Sequence, residues 1–447
     1  MRQSFVVTIL RQNQRPSAGL RAVDESAAGS WRLPLTPVVP IVLLWLLVLV
    51  WLQIADVYDE TTGLVIFHDS PRPLTTTLVS VWTSAIGLWR PLPTAVAASV
   101  LKLVPDRDAA WIAMRWINAA AFLAGLGILH LLLMRSGVRD RWRHAALAGG
   151  VLLSGSGILA GSWYASLFDV SVMILIAAGL WLAADERPVL AGLAIGLAFF
   201  CKENAVLGIV FLFALPLLVP VSRRTVAISS GLATSLGAAY FLLRSRRVAF
   251  GSEADMHQFV PTELVPTAIG FAQSFWTQVM KGDGPSILGI AVFVVGFIGL
   301  RGNRERAVLA ALFGLSVGLY WGMLDEYQNG VLISHLNFIG RLHLVPVGLA
   351  LLLLTARGRS FAVAAVVAAL LVGGALTAHD HQRFQRSYGN LYELAAGTPG
   401  HLEVHEPLNP LTDPSRELRL GSFPEARWQL DVRTGALLTR PAEASRE

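Results

Sequence analysis

Apolar positions in this chain come in long unbroken blocks. They do not alternate as in a half-buried strand, and they do not form the single stripe of a soluble helix. Eleven blocks stand out, at about 36–54, 110–134, 144–162, 164–184, 188–201, 203–221, 225–243, 285–301, 305–324, 341–356 and 360–378. Several reach the roughly 20 residues that cross ~30 Å of hydrocarbon as a helix. The pattern predicts an all-α polytopic membrane protein with about 11 transmembrane helices. Residues 188–221 are nearly continuous, which predicts either a re-entrant pair or one long bent helix. Two other apolar stretches, "LTTTLVSVWTSAIGLW" from Leu74 and "LVPTAIGFAQSFWTQVM" from Leu264, read as helices lying in the membrane interface. In the first, Trp82 and Trp89 are seven apart, on one helical face, and Arg72 and Arg90 bracket the segment.

The blocks divide the chain into a polar N-terminal segment (1–35), a membrane domain (36–378) and a polar tail (379–447). In the tail, "RWQLDVRTGALLTR" alternates like a β-hairpin around a Thr-Gly turn. The N-terminal segment is followed by a full-length apolar block with no small-residue cleavage site, so that block is expected to stay as an anchor.

Charge sharpens the topology. Of 447 residues, 54% are hydrophobic and only 15% charged, against about 25% charged in soluble domains. The net charge is +6 and the isoelectric point 9.8. These basic residues are spread over short loops and do not form one patch, which argues against a nucleic-acid partner and for positive-inside placement in the bilayer. With eleven spans, the N-terminal arginines fall on one side together with Arg135 to Arg143, Arg187, Arg223 and Arg224, Arg301 to Arg306, and Arg357 and Arg359. That side is expected to be cytoplasmic, in a bacterial-type inner membrane, with the tail outside. Arg244, Arg246 and Arg247 fall on the opposite side and break the rule.

A single cysteine, Cys201, excludes an internal disulfide framework and reads as a small buried hydrophobe. "GLAIG" (Gly192 to Gly196) and "GSGILAG" (Gly155 to Gly161) lie inside spans and read as close helix packing, not nucleotide loops. "HDH" (His379 to His381) is a weak metal-ligand candidate, so no metal site is assigned, although a divalent ion remains compatible with the chemistry below.

Ionisable residues at span mouths are the informative ones, because each is costly if it faces lipid. Arg115 is long enough to snorkel. The others form four groups, all on the expected outer side. The first is the stretch "DVYDETTGLVIFHDSPRPL", with Asp56, Asp59, Glu60, His68, Asp69 and Arg72. The second is "FFCKENAV", where Lys202 and Glu203 interrupt an apolar run and are expected to pair with each other or with a site. Asp169 in "WYASLFDVSV" is the third. The fourth is "NFIGRLHLVPVG", in which Arg341 and His343 open the tenth block. Four groups so distant in sequence would together line one water-accessible cavity.

These residues resemble the GT-C glycosyltransferases. The resemblance rests on the acidic pair in the first outer loop, "RPL", the interfacial helix, "WINAAAFLAGLGILH", the Trp-to-Asp segment, "KE", and "GRLHLVP". The branch most similar is that of the tetratricopeptide-linked O-mannosyltransferases, over about residues 36–356. The resemblance implies a polyprenyl-phosphate-linked sugar donor and a hydroxyl-bearing protein or glycolipid acceptor, met at the outer face of the lipid bilayer. It also implies that Asp59 is the general base, with Glu60 as its acidic neighbour and Asp56 one turn away. Arg72, Lys202 and Arg341 match positions near the donor phosphate. The chain departs from the pattern in three places. "SGSGILAGSW" lacks the usual His-Pro and Glu, Leu167 stands where Arg is common, and no tetratricopeptide array follows.

Read without the resemblance, the residues fit the same chemistry. A lipid phosphate is a stable anionic leaving group, so transfer needs a base for the acceptor and cations for the phosphate, not a strong acid. A polymerase or ligase of lipid-linked glycans would use similar groups. A polytopic transporter would instead favour internal repeats and charges at the bilayer midplane, and a non-catalytic scaffold would need none of them.

Overall fold

The computed structural model describes residues 36–52, 72–83, 89–162, 166–247, 261–278, 287–321 and 343–397, and four short strands beyond. Up to residue 397 the fold is all-α. The helices are α1 (Val38–Trp51), α2 (Leu74–Thr83), α3 (Pro91–Leu103), α4 (Arg107–Arg135), α5 (Arg141–Leu152), α6 (Gly155–Ser162), α7 (Leu167–Ala184) and α8 (Pro188–Ala198). They continue with α9 (Val206–Ala214), α10 (Arg223–Arg247), α11 (Leu264–Thr277), α12 (Ile287–Gly299), α13 (Asn303–Trp321), α14 (Leu344–Arg357) and α15 (Ser360–Gly397).

Every one of the eleven apolar blocks carries helix. Four stretches are long and apolar enough to cross a membrane: Ile112–Arg135, Leu167–Ala184, Arg223–Arg246 and Ser360–His379. The pair α5 and α6, bent by 60°, makes a fifth if taken as one span. By length and composition the described residues therefore hold five spans at most, against the eleven expected. The other apolar helices are shorter, and for α8 the reason is local: the chain breaks after Ala198 and delivers Lys202 and Glu203 to ion pairs described below. After the break, Glu203–Ala205 and Leu215–Leu217 form 3-10 turns at either end of α9.

The bundle has two ends. At one, α4 closes on α7 through Arg135 and Asp185. There the Ser222 backbone N–H and hydroxyl donate to Glu186 at 2.6 and 2.7 Å, and the Thr225 hydroxyl donates as well. These bonds hold the Glu186 carboxyl below its usual range. Arg357 Nε donates to the Leu217 carbonyl at 2.7 Å, and Arg143 donates to the carbonyls of Thr355 and Gly358. The loops whose arginines the sequence put on one side do gather at one end.

From there the helices run to the other end. Asp169 lies sixteen positions before Asp185 along α7, or about 24 Å at 1.5 Å per residue. The C-terminus of α1 reaches the same far end, where Arg115 donates to the Leu49 carbonyl and, at 3.4 Å, to that of Leu52. Arg115 is thus a helix cap and not a free snorkelling side chain.

Close approach, not side-chain bulk, sets the packing. A Cβ on Gly192 would sit 2.8 Å from the Ser229 carbonyl oxygen and 2.8 Å from Leu232 Cβ. One on Gly196 would meet Leu236 Cδ1 at 2.4 Å. At the α5–α6 bend, the Gly157 carbonyl accepts from Trp45 Nε1 at 3.1 Å, and a Cβ there would meet the Val151 carbonyl at 1.9 Å. Both small-residue runs are packing devices.

The two segments expected to lie in the interface are helical in part. Leu74–Thr83 forms α2, but Trp89 has a φ of +42° and is 2% exposed while Trp82 is 38% exposed, so the two do not share a face. Leu264–Thr277 forms α11, burying Phe271, Phe275 and Trp276 and exposing Val265 and Ile269. The polar tail begins as helix, since α15 runs on to Gly397. Beyond it, β1 (His401–Val404), β2 (Leu418–Arg419), β3 (Arg427–Asp431) and β4 (Ala436–Thr439) form a sheet ordered β2-β1-β3-β4. Strands β3 and β4 pair antiparallel, with Trp428 opposite Thr439, as the alternating pattern predicts.

Two outcomes test this packing. Gly192→Ala should cost about 1–3 kcal/mol from overpacking, whereas Gly231→Ala, on α10 with open space around it, should be neutral or stabilising; thermal unfolding in detergent compares them. Because the Glu186 carboxyl is depressed, its stabilisation is present above the unfolded value of 4.5 and lost as pH falls below it. Glu186→Gln should accordingly show a flatter loss of melting temperature on acidification below that value.

Candidate functional site

At the far end, three segments distant in sequence meet. Asp169 enters in the first turn of α7, and its side chain is fully buried. Lys202 follows the break after α8, with φ −170° and ψ 153°, an extended residue. Its Nζ donates to Asp169 Oδ1 at 2.7 Å, and Asn204 Nδ2 donates to the same oxygen at 3.4 Å. Lys202 is 4% exposed. The pair is a closed ion pair in an apolar surround, not part of an open water-filled cavity.

Glu203 faces elsewhere. Arg90 Nη2 donates to Glu203 Oε2 at 3.1 Å, and Arg244 Nη1 donates to Oε1 at 2.7 Å. The Tyr240 hydroxyl donates to the same Oε1 at 3.1 Å. Trp89 stacks on Tyr240 with ring centroids 5.6 Å apart and planes at 13°. Phe200 packs edge-on against both rings. The Arg90 guanidinium also lies 5.6 Å above the Phe168 ring. Adjacent in sequence, Lys202 and Glu203 do not pair with each other. Each reaches a different helix, and together they tie α3, α7, α8 and α10.

This network accounts for one of the three arginines that broke the charge rule, since Arg244 pairs with Glu203. Arg90 was legible only as a bracket of the first outer segment, and Tyr240 gave no signal at all. The trace that could have found it is its spacing four residues before Arg244, which puts the two on one helix face.

His343 lies apart from these pairs. Its Nε2 is 3.1 Å from the Ser274 hydroxyl, and its ring stacks on Phe271 at 4.6 Å and 15°. Arg72 is described and exposed. Asp56, Asp59, Glu60, His68, Asp69 and Arg341 lie outside the described residues. Among the described residues, no three His, Cys, Asp or Glu side chains come together in a metal-binding group. Cys201 is buried, as its apolar context predicts.

No known protein family, curated protein or solved structure matches the chain.

Breaking the buried pair should be costly. Lys202→Met leaves the Asp169 carboxylate in an apolar surround and should cost about 3–5 kcal/mol. Asp169→Leu combined with Lys202→Met should recover most of that loss, since replacing both charges by apolar groups is close to neutral. Detergent-solubilised unfolding of the two single variants and the double variant measures it; a double variant as unstable as the singles would mean that the pair is not the stabilising unit.

Proposed function

We propose that this chain is a membrane glycosyltransferase that moves a sugar from a polyprenyl-phosphate-linked donor to the hydroxyl of a protein or glycolipid acceptor. The reading takes all eleven apolar blocks as membrane segments of a bacterial-type inner membrane, with the N-terminal segment in the cytoplasm and the tail outside. The observation that carries it is the gathering of Asp169, Lys202, Glu203, Arg90 and Arg244 at the end of the bundle opposite the arginine-rich loops. The chain leaves α1 at that same end and enters the acidic stretch that holds Asp56, Asp59 and Glu60.

In this mechanism the acceptor oxygen bonds to the anomeric carbon of the sugar as the bond from that carbon to the phosphate oxygen breaks. Polyprenyl phosphate leaves with the bonding electrons, and the acceptor proton passes to Asp59. Arg72 and Arg341 hold the phosphate, Arg by its two-pronged fork. Lys202 is held by Asp169 at 2.7 Å, and in this reading the buried pair fixes the wall of the site beside the phosphate.

A transporter is the second reading, favoured by the interruption between α8 and α9 with charges beside it, a feature of discontinuous helices in transporters. One experiment separates them: sugar transfer from a polyprenyl-phosphate donor by protein in nanodiscs. Asp59→Asn should lower turnover by about 10²–10⁴, the usual worth of a general base, with donor binding retained. Asp56→Asn and Glu60→Gln should lose less. Full transfer by all three variants, or none by the parent, sinks the enzyme reading.

A further inference from the structure

The arginine-rich end holds a cavity of about 580 Å³, far from the charged pairs. It opens where three inter-helix corners meet: the loop between α4 and α5, the corner between α12 and α13, and the end of α14. Arg139, Arg143, Arg301 and Arg357 line it, with Asp140 and Glu305 as the carboxylates. Four guanidinium groups thus face two carboxylates.

Their states differ. Arg143 is tied to the Thr355 and Gly358 carbonyls and Arg357 to the Leu217 carbonyl. Asp140 is occupied as the cap of α5, where its Oδ1 accepts from the Trp142 N–H at 3.2 Å. Arg139 and Arg301 are exposed and have no hydrogen-bond or ion-pair partner among the described residues. The two carboxylates balance only two of the four cations, and the remaining excess of positive charge favours a further anion.

The depth of the cavity narrows the anion. Trp142 and Trp181 flank this end, with the Arg143 guanidinium 6.0 Å from the first ring and that of Arg135 5.3 Å from the second. Tryptophan beside arginine marks the headgroup level of a bilayer, and basic pockets between membrane helices on that level take phospholipid headgroups.

We propose that this cavity binds the phosphate of an anionic phospholipid, with Arg139 and Arg301 as its free donors and Arg143 and Arg357 as fixed walls. Bound lipid bridges the α4–α5 loop to the α12–α13 corner and stabilises the bundle. The site is at the end opposite Lys202, so its failure would leave the glycosyl-transfer reading untouched.

The test is the thermal shift of the full chain in detergent, titrated with phosphatidylglycerol, phosphatidylcholine or inorganic phosphate. Phosphatidylglycerol should raise the melting temperature and phosphatidylcholine should not. Arg139→Gln combined with Arg301→Gln should start from the parent's melting temperature and need about 30-fold more phosphatidylglycerol, at about one surface arginine's worth each. A phosphatidylglycerol response with none to millimolar phosphate assigns the site to lipid, while an equal response to phosphate assigns it to a free anion. An unchanged titration in the double variant, or equal responses to the two lipids, overturns the site.

Discussion

A carboxylate in an apolar interior must find a cation or take up a proton, because the loss of hydration costs several kcal/mol per ion. In this chain two such demands meet at one end of the bundle. Asp169 is fully buried, and Lys202 and Glu203 stand side by side in an otherwise apolar run. The answer shapes the bundle. Helix α8 stops at Ala198, the backbone extends through Lys202, and one residue turns to α7 while the next turns to α3 and α10. The positions of four helices follow from satisfying two acids.

The opposite end meets a related constraint. Each helix leaves four carbonyls without an internal partner, and hydrocarbon supplies no water to meet them. Arginines do it here: Arg143 for α14, Arg357 for the turn after α9 and Arg306, at 3.2 Å, for the Leu300 carbonyl after α12, as Arg115 does for α1 at the far end. Several residues that count toward topology in a charge tally are therefore also helix caps. Those left over, Arg139 and Arg301 among them, are the ones available to a ligand. Between the two ends there is little apolar driving force in lipid, so contact depends on how closely backbones approach, and Gly192, Gly196 and Gly157 are where it is closest.

Much of this was legible beforehand. Each apolar block carries helix, in which an apolar run satisfies its own backbone groups. The arginine loops came together, the glycine runs packed and the hairpin in the tail paired. The number of full-length spans was not legible, because composition cannot tell a continuous 20-residue helix from an apolar run that breaks, as between Ala198 and Glu203, or bends, as at Leu153 and Ser154. Of the candidate site, Asp169, Lys202 and Glu203 could be picked out as charges that lipid would not tolerate, but Arg90 and Tyr240 could not.

The sequence by itself determined which runs are apolar and helical, which loops carry the arginine and which charges need partners, since each depends on composition within one local run. Only the tertiary structure decided who partners whom. Lys202 and Glu203 are neighbours of opposite sign, and the sequence left open whether they pair with each other or with other groups. At an extended backbone, successive side chains point to opposite sides, so the two cannot share a direction. Each takes the oppositely charged group that a packed helix brings to its own side, from residues 33 positions before in one case and 41 after in the other.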